Sequence, residues 1–98
     1  MCEQFCVYIM SNKVNGTLYA GSTCNPVERI WQHREGVVKG SFSEQYGLKK
    51  LVYYELHDIY EEAARREKRI KKWPRRWKLN LINSLNPTWD DLYDEICE

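Results

Sequence analysis

The sequence predicts an α+β fold: a small three-stranded, mostly antiparallel sheet flanked by helices in the order β-β-α-β-α-α. Two β-rich runs near the start, Phe5–Ser11 (FCVYIMS) and Thr17–Thr23 (TLYAGST), flank a turn containing Asn15-Gly16, which is how a hairpin reads. A third such run, Leu51–Leu56 (LVYYEL), stands between two segments of helical pattern. Layering helices on one such sheet is the arrangement that buries every apolar face.

The first helix has a strong start. Asn25 can cap it, Pro26 suits the first helical position, and Glu28 stands three after the cap. Val27, Ile30, Trp31, Val37 and Val38 form its expected apolar stripe, and Gly36 or Gly40 would end it. Ser41–Gly47 reads as a loop. A second helix is expected over Tyr60–Trp73. Pro74 stops it and opens a third, Pro74–Leu85. After the break at Asn86-Pro87, Thr88 is expected to cap a short acidic segment with Asp90 and Asp91 in its first turn.

The 98 residues are one domain's worth of chain, so 1–98 is expected to be a single unit. No run approaches the roughly 20 apolar residues of a membrane span. The first ten residues lack the basic start of a secretory signal, which points to the cytoplasm. The four cysteines show no zinc-finger spacing and are expected to be reduced thiols. The net charge of +1 hides a split. Arg65–Lys78 holds nine basic residues against Glu67 alone, a local +8, while the remainder carries −7. A basic face for phosphates is expected there, from Arg65, Arg69, Lys72, Arg75, Arg76 and Lys78; a solvated helix face would give the same run.

Within the basic helix, Glu67 shares a face with Ala63, Ala64, Ile70 and Lys71. A carboxylate on an inward face needs a partner. It is either half of an ion pair with Arg or Lys, or a ligand for a hard cation such as Mg²⁺. On the first helix Arg29 and His33 are one turn apart, on a face away from the centre of the apolar stripe. Arg can grip phosphate with two hydrogen bonds, and His can hold or move a proton near neutral pH. Tyr8 and Tyr19 stand one in each hairpin strand. Their hydroxyls, with ordinary pKa near 10, need a nearby cation to act as a base.

Cys6-Val7-Tyr8 and Tyr19-Ala20-Gly21 resemble the two half-motifs of the GIY-YIG nucleases. The tyrosines stand eleven apart, Arg29 and His33 follow Tyr19 by ten and fourteen, and Glu67 lies in Arg66-Glu67-Lys68. Leu51–Glu55, Lys72-Trp73 and Asn86-Pro87-Thr88-Trp89 extend the likeness, over residues 6–92, to the short stand-alone bacterial branch. Cys6, Val7 and Ala20 depart from the family letters without losing a polar position. The resemblance implies a metal-dependent endonuclease acting on DNA, with one Mg²⁺ or Mn²⁺ held by Glu67. It also implies Arg29 stabilising the phosphate, Tyr8 or Tyr19 as the base with its pKa lowered by nearby cations, and His33 orienting or relaying the proton. Asn86 would be the family's late asparagine. These residues are expected to converge on one concave face of the sheet. The alternative is a module on the same fold that binds nucleic acid or protein without cutting.

Overall fold

The computed structural model of the chain describes residues 4–36 and 46–97. Its elements are β1 (Phe5–Ser11), β2 (Leu18–Thr23), α1 (Pro26–Glu35), β3 (Lys50–His57), α2 (Tyr60–Lys72), α3 (Arg75–Leu85) and a short α4 (Tyr93–Cys97). The strands form one antiparallel sheet in the order β2-β1-β3. The α+β architecture is the one expected from the sequence.

β1 is the central strand, and from Cys6 to Ser11 every residue is buried. Alternation sends its side chains into two cores. Val7 and Ile9 join Ala20, Ala63, Ile70, Ile82 and Trp89 beneath α2 and α3. Cys6, Tyr8 and Met10 join Ile30, Leu48, Leu51 and Leu92 on the opposite face, beneath α1. Pairing shifts between Ile9, opposite Tyr53, and Met10, opposite Leu51. The bulge leaves Val52 as the extra residue of β3, which is why Val52 and Tyr53 both enter the first core. Truncating a residue as central as Ile9 to alanine would cost about 2–5 kcal/mol.

The helix boundaries follow their punctuation. Asn25 accepts the Glu28 N–H at 3.3 Å, Pro26 opens α1, and Gly36 closes it in the left-handed region at φ 62°. Pro74 separates α2 from α3. The face α1 presents is not the expected one. Ile30 and His33 are buried, while Val27 and Trp31 are exposed. The helix lies over Tyr8, whose hydroxyl gives a buried imidazole its partner, so the polar residue goes inward. Val37, Val38, Gly40 and residues 41–45 of the expected loop lie outside the described residues.

Thr88 does not cap a helix; its hydroxyl donates to Asp90 at 2.7 Å. Asn86 organises this stretch instead. Its amide donates to the Val52 and Asp90 carbonyls, and its oxygen accepts the Asp90 N–H. The loop so formed drops Trp89, at φ 57°, wholly into the first core, and α4 begins only at Tyr93, whose N–H the Asp91 carboxylate accepts. Cys6 and Cys97 are free thiols as expected, but Cys24 is disulfide-bonded, which the spacing of four scattered cysteines did not signal. Among the described residues no helix is long and apolar enough to cross a membrane.

Candidate active site

Tyr8, opposite Gly21 in the strand register, leans across that glycine toward the β2 edge. A Cβ on residue 21 would sit 2.7 Å from the Tyr8 hydroxyl and 3.1 Å from the Tyr19 ring, so the close approach requires glycine. The Tyr8 hydroxyl lies 3.0 Å from His33 Nε2. Burial, with Arg29 adding to it, holds the His33 pKa down to about 4. The imidazole is therefore neutral near pH 7, and in the tautomer with its proton on Nδ1 it can accept the hydroxyl's proton at Nε2. The Tyr19 ring closes the group, 5.3 Å from the His33 ring and 6.4 Å from that of Tyr8. Arg29, half-buried and held by Gln32 at 3.1 Å, bears on the Tyr8 hydroxyl by charge and hydrogen bond. Its pull is outweighed. Burial first, then Tyr19, push the Tyr8 pKa above its ordinary value. The Arg29 charge, one of the nearby cations expected to lower it, does not by itself overcome the burial of the fully enclosed ring.

Glu67 approaches from the other side of the sheet. Ser22 pairs with Val7 and so faces α2, whereas Tyr8 faces α1. The Ser22 hydroxyl donates to Glu67 Oε1, and the Lys71 ammonium pairs with Oε2 at 2.6 Å. Burial pushes the Glu67 carboxyl up, but the Lys71 and Ser22 contacts prevail and hold it below the ordinary carboxylate value. Lys71 Nζ is also 5.8 Å from the centre of the Tyr19 ring, and the Glu67 charge is felt at Tyr8. So Tyr8, Tyr19, Arg29, His33 and Glu67 do come together, but not on one concave face. They meet around β2, which lies at the sheet's edge.

Glu67 suits a hard cation. It lies in an open cavity of about 520 Å³ shared with Ala64, Arg65, Lys68 and Lys71, and its carboxylate already holds a cation, the Lys71 ammonium. Among the described residues no three His, Cys, Asp or Glu side chains gather into a metal cage. The ion that fits one carboxylate is one that keeps most of its waters, as Mg²⁺ does.

A model of the GIY-YIG catalytic domain matches residues 4–80. The chain belongs to the GIY-YIG family. That family is one of nuclease domains, which generally use divalent metals and act on nucleic acid. The chain is 41% identical over 78 residues to a UPF0213 protein of Clostridium perfringens, covering 80% of this chain and 82% of the relative. It is 40% identical over 77 residues to a UPF0213 protein of Staphylococcus haemolyticus, covering 78% and 90%. The solution NMR structure of a UPF0213 protein from Bacillus halodurans shares the fold, with a TM-score of 0.58 and 28% identity over 90% of this chain and 92% of that one.

Not every position singled out in this GIY-YIG chain joins the cluster. Asn86 is buried against β3, the strand on the far side of β1 from β2, with its amide engaged by backbone. Among the basic residues, Arg65, Arg69, Lys72 and Arg76 are exposed and take no hydrogen bond or ion pair within the described residues. Arg75 instead donates to the Asn15 and Gly16 carbonyls at 2.7 and 2.6 Å, tying α3 to the hairpin turn. Lys78 reaches the Lys71 carbonyl at 3.3 Å. Ser22 and Gln32 were not singled out in the sequence, and Gly21 only as a letter of the second half-motif. Lys71 was already placed on the Glu67 face, and it supplies the ion pair that was one of the two readings of that carboxylate. The Ser22–Glu67 bond spans 45 residues, and no local pattern announces it.

Proposed function

We propose that this GIY-YIG chain is a metal-dependent endonuclease that hydrolyses a phosphodiester bond in DNA, its 98 residues acting as one domain. The observation that carries this is the Tyr8 hydroxyl, set between the Arg29 guanidinium and a neutral His33 imidazole beside the edge strand that also bears the Glu67 contact. Arg29 would hold a non-bridging phosphate oxygen and meet the charge that grows there. The Tyr8 oxygen would take a proton from the attacking water as its own proton passes to His33 Nε2. The water oxygen forms the new bond to phosphorus, and the bond to the leaving oxygen breaks with its electron pair. A Mg²⁺ or Mn²⁺ ion held by Glu67 would supply charge against that leaving oxygen. Lys71 would yield the carboxylate and, staying beside the Tyr19 ring, remain available to phosphate. Tyr19 shapes the wall of the site in this scheme. Asn86 contributes through architecture, by fixing the loop before α4.

A non-catalytic binder is the second reading, and the Glu67–Lys71 pair is what favours it, since the carboxylate already has a cation. Glu67→Gln separates the two. Lys71 is 47% exposed, so its pair is worth under about 1 kcal/mol and its loss leaves no buried charge. The expected result is an almost unchanged melting temperature, with Mn²⁺ binding by calorimetry and plasmid nicking both abolished. A wild-type protein that binds no Mn²⁺ and nicks no plasmid would leave only the binder.

A further inference from the structure

The exposed face of α3 carries a cleft that the hydrolytic scheme does not use. Trp73, Trp77, Asn80, Leu81 and Ser84 line about 350 Å³ of open space. The last four recur at helical spacing on one side of α3, and Trp73 closes the cleft from the end of α2. The two indoles stand 5.8 Å apart at 75°. A flat ring laid on one indole therefore meets the other edge-on, which is a favoured aromatic geometry. Trp77 is left 47% exposed, although the core lies beneath the same helix. Arg66 already covers Trp73, with its guanidinium 5.0 Å from the ring centre and anchored on Glu55. The Asn80 amide is exposed and takes no partner among the described residues. An amide of this kind can pair with the edge of a base.

What surrounds the cleft indicates its occupant. Going around α2 at about 100° per residue, Glu67 and Lys71 lie on one flank of the buried face and Trp73 on the other. Between them, over the exposed back of the helix, come Lys68, Lys72, Arg65 and Arg69 in that order, all exposed. By the same projection Glu61 and Glu62 fall in this arc at the first turn of the helix, so the basic track that joins the Glu67 cavity to the Trp cleft runs over the last two turns of α2. Half the girth of a helix about 10–12 Å across is a few nucleotides of chain. We propose that the Trp73–Trp77 cleft receives one unpaired nucleobase of the substrate strand, a few nucleotides from the phosphate held near Glu67. This inference rests on the nucleic-acid reading above and narrows it to DNA with a single-stranded segment, such as a flap or a branch.

The test uses the full chain in wild-type, Trp77→Ala, Trp77→Phe and Arg69→Glu forms. Affinities are measured by fluorescence anisotropy for a single strand, a blunt duplex of the same sequence, and that duplex bearing a short flap. Loss of one base–aromatic stack should weaken single-strand and flap binding by about tenfold in Trp77→Ala. Blunt-duplex binding should be unchanged, and Trp77→Phe should recover most of the loss. Arg69→Glu should weaken all three ligands. Circular dichroism checks that each variant is folded. If Trp77→Ala binds all three DNAs as the wild type does while Arg69→Glu weakens them, the cleft proposal is overturned and the nucleic-acid reading stands. If no form binds any of the DNAs at low salt, both fall.

Discussion

His33 is a buried imidazole whose pKa lies near 4, well below the usual value of about 6.5 for an unfolded chain. The unfolded protein therefore takes up this proton at a higher pH than the folded one. Stability is full above about pH 6.5 and declines as the pH falls toward the folded value, by on the order of 1–2 kcal/mol at pH 5. Urea midpoints at pH 7.5 and pH 5 should show that drop in the wild type, and His33→Gln should flatten it. An equal drop in the variant would place the titration elsewhere. Gly21 has a different role, since its hydrogen is all that the Tyr8 hydroxyl leaves room for. Gly21→Ala should push the hydroxyl off His33 and lower nicking by about 10²-fold, the scale on which misplacing a reacting group by about 1 Å acts. Overall melting should fall only modestly. Preserved activity in Gly21→Ala would mean that the Tyr8–His33 bond is not used. Tyr8, Tyr19, Arg29, His33 and Glu67 were picked out together only through the family resemblance, whose offsets carry over because each sits on a regular element. The direction of the Tyr8 pKa shift was not legible, because it depends on how completely α1 covers the ring.

At the scale of elements, the motif Asn86-Pro87-Thr88-Trp89 has a structural explanation. Asn86 satisfies two carbonyls and an N–H at once, and one of those carbonyls belongs to Val52, the bulge residue of β3. Asn86→Ala leaves the buried Val52 carbonyl without its side-chain partner, which should cost about 1–3 kcal/mol and lower the melting temperature by several degrees. Metal-free DNA affinity should not change. If Asn86→Ala instead abolished nicking at unchanged stability, Asn86 would belong to the reacting group after all. Strands and helix limits were readable because Asn25-Pro26, Gly36 and Pro74 punctuate the chain locally. The face that α1 buries was misjudged for a physical reason. Hydropathy puts Val27 and Trp31 inside and His33 outside, but a polar residue with a waiting partner can be buried cheaply. The loop from Asn86 to Leu92 was unreadable because it is held by a strand more than 30 residues earlier.

Across the molecule, charge is sorted rather than balanced. Arg65, Arg69, Lys72 and Arg76 project from α2 and α3 without internal partners among the described residues, whereas Arg75 is occupied by the hairpin carbonyls. Each phosphate neutralised adds about 0.9 to the slope of log affinity against log salt for duplex DNA. Four such contacts predict a slope of roughly −3 to −4. Arg69→Glu should make it shallower by about one unit, and Arg75→Glu should change it less while loosening the hairpin turn. Equal effects from both would mean that Arg75 leaves its carbonyls to meet DNA. The edge position of β2 has a further consequence. Among the described residues its backbone is laddered to β1 alone, so the strand carrying Tyr19, Gly21 and Ser22 is fastened there on one side. Its amide protons should be among the first in the sheet to trade with solvent deuterium, and the side-chain ties from Ser22 to Glu67 and from Lys71 to the Tyr19 ring help restrain that opening, as does the disulfide at Cys24 just beyond the strand. An ion arriving at Glu67 would disturb both ties at once. The breathing of β2 would then become an echo of whether Glu67 is engaged.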